Sequence, residues 1–352
     1  MNLDDARSLR EGDPSDMLGA ISRLPKDCRE GYEIGLATAE LPSGEGISSV
    51  AFCGMGSSAH AGEILRALFR DRIRIPVDVI RSPQLPEFCG PHTLVLASSY
   101  SGDTAETLAC FEEAVARGCR ILSIASGGAL RSRSADRKLP IVEIPSGLLM
   151  PRVSLGYFAF GVLGALERIG LLPPLEPDVE ETLDILTELV ETLRGETPSE
   201  RNPAKRLATA IGDRIPVIWG AEGIGCVAAA RWRTQFNENA KVPSFSSALP
   251  ELDHNEVVGW SAGSGGAFAL VALRHDGEHP DVAFRFPASI EMADAAGMRA
   301  EEVQAAGRSQ LARLMSLLAT GDFTSVYLGL LRGVDPTPIE AIVRLKRALA
   351  GG

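Results

Sequence analysis

Basic charge, aromatic side chains and long apolar runs are all scarce in this chain of 352 residues. The formal charge is −11, which argues against nucleic acid or an anionic membrane as the main partner. Aromatic residues make up only 5% of a sequence that is 45% hydrophobic, so the core must be aliphatic. The longest apolar stretch, near Ser154 to Ala165, is glycine-interrupted and short of a membrane span. The N-terminus, MNLDDARSLREGDPSD, is too polar for a signal peptide, and a cytoplasmic location is expected. No C-x-x-C spacing occurs among the six cysteines, which read as reduced, mostly buried thiols. The five histidines form no helical ligand pair, since His275 and His279 fall across an HDGEH loop, and no metal is expected.

What is present is a rhythm of short apolar runs and amphipathic segments. SSVAFCG (48–54), PVDVIRS (76–82), TLVLASS (93–99), RILSIAS (120–126) and LPIVEIPSG (139–147) read as strands. Helical patterns at 57–72 and 104–118 fall between them. Continuous apolar strands alternating with helices predict a doubly wound parallel sheet, with ligands outside the carboxyl ends of its strands. A second unit repeats the pattern, with strands at 215–222, 268–274 and 282–286. Helices are expected at 223–241, at 311–333 with a break near Gly321, and at 339–350. The predicted layout is a helical prelude (1–46) on the core, a first α/β domain (47–170), a helical linker (171–203) and a second α/β domain (204–352). Pro25 is expected to stop the helix in the prelude.

Two turns of the first unit carry chemistry. In FCGMGSSAHAG (52–62), Gly54 and Gly56 allow a tight strand-to-helix turn, and Ser57 and Ser58 stand at the helix start. It is not a dinucleotide fingerprint, because its third glycine, Gly62, comes too late, and no G-K-[ST] follows to make a Walker loop. In SSYSGDT (98–104), Ser99, Ser101 and Thr104 place three hydroxyls around one turn relaxed by Gly102. Each turn alone reads equally as an ordinary helix cap. Two of them in one parallel-sheet domain point to a phosphate monoester held by hydroxyl and amide groups.

SYSGDTAET (99–107) resembles the phosphosugar loop of sugar-isomerase (SIS) domains. GMGSSA, SYSGDT, MPRVSLGYF, FNENAK, ELDHNEVVGW and GVDPTPIEAIVRLK, in this order, are similar to the bifunctional phosphoglucose/phosphomannose isomerases. The resemblance covers the chain from about residue 15. It implies two SIS-type three-layer domains and an aldose–ketose isomerase working through a cis-enediol, in glycolysis or gluconeogenesis. It also implies Glu238 as the base, His254 as the ring-opening residue supplied by the partner of a homodimer, and Arg152 beside the developing negative charge. Lys346 is matched by a lysine that reaches the active site, and Thr337 lies near a threonine linked to accepting the mannose epimer. The phosphate would be held by Gly56, Ser57, Ser58, Ser99, Ser101 and Thr104, and the proton shuttle needs no cofactor. Without the resemblance, Glu238 and Lys346 read as solvated helical charges. Two positions depart from the usual pattern: Ser57 stands where glycine is usual, and Asp103 where asparagine is usual. Two alternatives stay open: a non-catalytic sugar-phosphate sensor, or an SIS isomerase or deglycase acting on another sugar phosphate.

Overall fold

The computed structural model describes residues 1–70, 72–261, 263 and 265–350. In chain order the helices are α1 (Ala6–Gly12), α2 (Met17–Ser22), α3 (Leu24–Ala37), α4 (Gly56–Phe69), α5 (Ala105–Ala116), α6 (Gly128–Asp136), α7 (Leu155–Ile169) and α8 (Glu176–Leu193). They continue with α9 (Pro203–Ile211), α10 (Ile224–Asn239), α11 (Glu256–Trp260), α12 (Pro280–Ala283), α13 (Phe286–Ala295), α14 (Gln310–Leu331) and α15 (Glu340–Ala350). The strands are β1 (Ser49–Cys53), β2 (Val77–Ile80), β3 (Thr93–Ser99), β4 (Arg120–Ala125), β5 (Ile141–Glu143), β6 (Ile215–Ala221), β7 (Phe245–Leu249), β8 (Phe268–Arg274) and β9 (Arg299–Gln304).

The chain divides into two compact units. One comprises residues 23–187 and 307–312, the other residues 1–22, 188–306 and 313–352. These limits differ from the boundaries expected from sequence, and the packing explains why. The prelude is cut at residue 22. On the near side of the cut, the wholly buried Lys205 of α9 donates to the carbonyls of Leu3 (2.7 Å) and Gly195 (2.8 Å), tying the N-terminus to residues 188–306. On the far side, α3 lies against α7 through glycines. A Cβ on Gly35 would stand 2.2 Å from the Gly161 carbonyl, and one on Gly164 would stand 2.5 Å from that of Tyr32. Pro25 sits in the first turn of α3, so it opens a helix rather than ending one.

The 23–187 unit holds a five-stranded parallel sheet in the order β2-β1-β3-β4-β5. Alternate residues face opposite helical layers. Ala51, Cys53, Val95 and Ala97 meet Cys110, Phe111 and Leu130 of α5 and α6. Phe52, on the other face, fills the space left by Gly62 of α4. The other unit holds a four-stranded parallel sheet, β7-β6-β8-β9, with Trp219, Leu270 and Ala272 packed on Phe286, Ala293 and Met298.

Three sequence expectations need correction. Residues 282–286 are not a strand: Pro280 and Pro287 begin α12 and α13, and Phe284 between them is 85% exposed. Gly321 does not break α14, which runs unbroken for 22 residues. Its missing side chain admits the Trp232 indole, 2.4 Å from where a Cβ would be. α14 is also longer than the 154–165 stretch, although less apolar. By length and composition it could cross a membrane, yet 89% of its apolar 18-residue window is buried within the fold.

Asp27 on α3 is buried beside Arg23, with 3.3 Å between Oδ1 and Nη2. Burial pushes its carboxyl up to about 6, against the opposing pull of Arg23. A raised carboxyl favours the folded state below its unfolded value near 3.8, and that contribution is lost as pH rises through about 6. Asp27→Asn does not titrate. It should therefore raise Tm by roughly 3 °C at pH 8 and leave it unchanged at pH 3.5 when both proteins are melted by calorimetry.

Candidate functional site

Neighbouring strands β1 and β3 run in register, Cys53 beside Ala97, and both end at a turn into a helix. After β1 the chain turns at Gly54-Met55-Gly56 into α4. The positive φ falls on Gly56, at +52°, and Ser57 lies inside the first helical turn, so serine is not strained there. Ser58 is buried and Ser57 half-buried. No side chain caps α4 at Met55 or α5 at Thr104, which leaves both helix starts open to an anion.

After β3, Ser99 organises the second turn. Its Oγ accepts from the Gly102 N–H (3.1 Å) and pairs with Thr104 Oγ1 (2.8 Å). Ser101 Oγ accepts from the Asp103 N–H at 3.2 Å. Gly102 has φ +74°, and a Cβ there would lie 1.9 Å from the Gly127 carbonyl, so only glycine fits. The Asp103 carboxylate does not face this cradle's hydroxyls. Its Oδ1 accepts from the Ala129 N–H at 2.9 Å, in the first turn of α6. Sequence reasoning missed this cap, whose only trace is the Gly127-Gly128 pair 25 residues on. Arg152 belongs to the same unit, on the turn Pro151–Ser154, and is only 1% exposed.

The remaining candidates lie in the other unit. Glu238 is half-buried in the last turn of α10. That helix is pinned to α14 by the buried Arg231–Asp322 pair (Nε–Oδ1 3.1 Å, Nη2–Oδ2 2.7 Å). Trp232 Nε1 donating to the Leu317 carbonyl (2.8 Å) and Asn239 Nδ2 donating to Ser325 Oγ (2.8 Å) complete the attachment. Just past the helix, Lys241 takes φ +55° and donates to the carbonyls of Glu238 and Pro336, the latter at 2.9 Å. Glu238 and Lys241 line a cavity of about 570 Å³ with Val334, Asp335, Pro338 and Ile342. Thr337 is buried within the same segment, its N–H bonded to Asp335 Oδ1 at 2.9 Å. Lys346 is exposed on α15, one turn beyond Ile342.

His254 is exposed and does not line that cavity. Its segment was expected as a loop. It is instead a short helical turn, Glu251–His254, followed by α11.

The other unit has no counterpart of the hydroxyl turn among its described residues. After β8, the strand that occupies β3's place in the sheet order, the sequence is HDGEH. There Glu278 fills the turn with its own carboxylate, which accepts from the His275 N–H (2.9 Å) and from Arg274 Nε (3.1 Å) and Nη2 (2.9 Å).

Two parallel-sheet units, one carrying two hydroxyl-bearing strand-to-helix turns, define a protein of the sugar-isomerase domain class. Comparison with known proteins narrows this. Residues 200–349 match the family model described as bacterial phospho-glucose isomerase C-terminal SIS domain. The chain is 37% identical to the bifunctional phosphoglucose/phosphomannose isomerase of Caldicellulosiruptor bescii, over 95% of this chain and 99% of the relative. It is 34% identical to the protein of the same name from Aquifex aeolicus, over 85% and 90%. Among solved structures, a glucose-6-phosphate isomerase like protein from Thermus thermophilus superposes with a TM-score of 0.65 at 22% identity, covering 99% of each chain. The chain belongs to the bifunctional phosphoglucose/phosphomannose isomerase family.

If Asp103 serves as a cap, Asp103→Ala should cost about 1 kcal/mol in urea denaturation and Asp103→Asn only a few tenths. The KM for a sugar phosphate should move by less than about threefold in Asp103→Asn, since the charge removed serves α6.

Proposed function

We propose that this protein interconverts glucose 6-phosphate and fructose 6-phosphate, and accepts mannose 6-phosphate, by proton transfer through a cis-enediol. Full-length kinship to the bifunctional isomerases supports the reaction class. The observation that carries the chemistry is Glu238, a carboxylate half-buried in a cavity on a helix end that three side-chain contacts hold fixed.

In this reading the phosphate sits in the cradle formed by Gly56, Ser57, Ser58, Ser99, Ser101 and Thr104. Hydroxyl and amide donors suit a dianion that must also leave. His254 protonates the ring oxygen as the sugar opens. Glu238 then removes the proton from C2 of the aldose and returns it to C1, while the O2 hydroxyl proton passes to O1, leaving the ketose. Arg152 stabilises the enediolate oxygens, and a charge so deeply buried is worth more there than in water. Lys346 approaches the sugar from α15, and Thr337 shapes the pocket around C2. The exposure of His254, and its place outside the Glu238 cavity, favour a homodimer in which each chain lends its histidine to the other. A cytoplasmic setting suits such a metabolic enzyme.

The test is a coupled assay of fructose 6-phosphate conversion with wild type and Glu238→Gln. The wild type should turn over, and the variant should lose about 10³-fold in kcat while still being thermally stabilised by substrate. Stabilisation without turnover in the wild type would make it a sugar-phosphate binder or an isomerase of another sugar.

A further inference from the structure

The turn that carries His254 is held from several sides, and the histidine is the member left outside. Leu252 is buried in the core with Trp219 and Phe286. Asp253 accepts from Ser289 Oγ (2.7 Å) and from Arg285 Nη1 (3.2 Å), which binds the turn to α13 and the residue before it. Asn255 accepts the Glu256 N–H at 2.6 Å and donates to Glu251 Oε1 at 2.7 Å, closing the turn on itself. Glu256 then reaches back to the sheet. Its Oε1 accepts the indole N–H groups of Trp219 (3.2 Å) and Trp260 (3.3 Å), and its Oε2 accepts from the Ser247 hydroxyl. Trp219 and Ser247 are register partners on β6 and β7, so one carboxylate bridges two neighbouring strands.

A carboxylate that gathers two indoles and a hydroxyl is a poor choice for stability alone, because desolvating it is costly. It is a good choice for fixing a short turn, because each donor constrains a different direction. We propose that Glu256 and Asp253 are positioning residues: they clamp the turn from both sides so that His254 projects outward at a fixed place and angle. This rests on the reading of His254 as the ring-opening group. A proton donor must come within about 3 Å of its target, and a misplacement near 1 Å costs roughly 10²-fold.

The test separates ring opening from everything else. Fructose 6-phosphate must be opened before it reacts. Its 5-deoxy analogue lacks the hydroxyl needed to close the ring and is already open. Turnover of both would be followed by NMR for wild type, His254→Gln, Glu256→Ala and Glu256→Gln. Glu256→Ala should lose roughly 30-fold in kcat on fructose 6-phosphate with little change in KM, and stay within about twofold of wild type on the open analogue. Glu256→Gln can still accept both indoles and meet Ser247, so it should retain activity to within about threefold. His254→Gln should share the asymmetry of Glu256→Ala. Asp253→Ala breaks the clamp independently and should show the same pattern should Glu256→Ala not fold.

Equal loss on both substrates would mean a general structural role and would overturn the proposal. So would an unimpaired Glu256→Ala beside an impaired His254→Gln. A Glu256→Gln as damaged as Glu256→Ala would mean that the charge matters and not the position, again overturning it. If His254→Gln itself were unimpaired on fructose 6-phosphate, the reading of His254 would fail and the clamp's purpose with it.

Discussion

A carboxylate can serve as a base only if its helix does not drift, and α10 is fixed by the buried contact of Arg231 with Asp322. Both partners are almost wholly removed from water, and two hydrogen bonds join the guanidinium to the carboxylate. Such a pair is costly to bury, and breaking one side of it costs about 3–5 kcal/mol. Its particular value is register. An apolar contact between α10 and α14 would tolerate sliding, whereas a bidentate pair has one geometry. Trp232 on the Leu317 carbonyl and Asn239 on Ser325 Oγ repeat the fixing along the same helix. Glu238, one position before Asn239, inherits that rigidity.

The two departures from the usual phosphate-loop pattern are absorbed locally. Ser57 is harmless because the residue before it carries the left-handed backbone and the helix has already begun. Asp103 is harmless for a different reason. Its negative charge serves the first turn of α6, where the helix dipole favours it. An asparagine could make the same bond. The exchange therefore alters the cap and not the hydroxyl set formed by Ser99, Ser101 and Thr104.

The strands buried on both faces were legible in sequence, since β1, β3, β4, β6 and β8 are continuous apolar runs. The edge strands β2 and β5 were legible as well, but those of the other unit were harder. β7 reads FSSAL and β9 reads RAEEVQ, and an edge can carry polar residues that propensity assigns to loops. Residues 282–286 failed in the opposite sense: VAFRF looks like a strand, but the prolines flanking it start helices on either side. Gly321 misled because a glycine in a helix was taken as a break when it marked a close approach by an indole. Among the candidate site residues, the hydroxyl loops stood out by composition and spacing. Glu238, Arg152 and His254 were not, since each is a single residue whose surroundings come from distant segments. Only the resemblance gave them their roles. The supports, Asp253 and Glu256, lay in the quoted motif, but nothing in sequence tells a clamp from a charged loop.

The two sheets also show how one fold can be given two tasks. In the 23–187 unit, the turn after β3 carries three hydroxyls, Ser99 and Thr104 paired with each other and Ser101 exposed. In the other unit, the turn after β8 supplies its own anion. Glu278 is 2% exposed and already takes the backbone N–H of His275 and the guanidinium of Arg274, which itself lies 4.0 Å over the Phe286 ring. A phosphate would have to displace a carboxylate that is both buried and charge-paired. Among the described residues, the turn after β8 therefore offers no hydroxyl set like that of Ser99, Ser101 and Thr104. The unit whose turn is self-filled is free to build with other parts of the fold: the end of α10, which carries Glu238, and the turn after β7, which carries His254. On the proposed reading, the phosphate turns and Arg152 belong to the 23–187 unit, and Glu238 and His254 to the other.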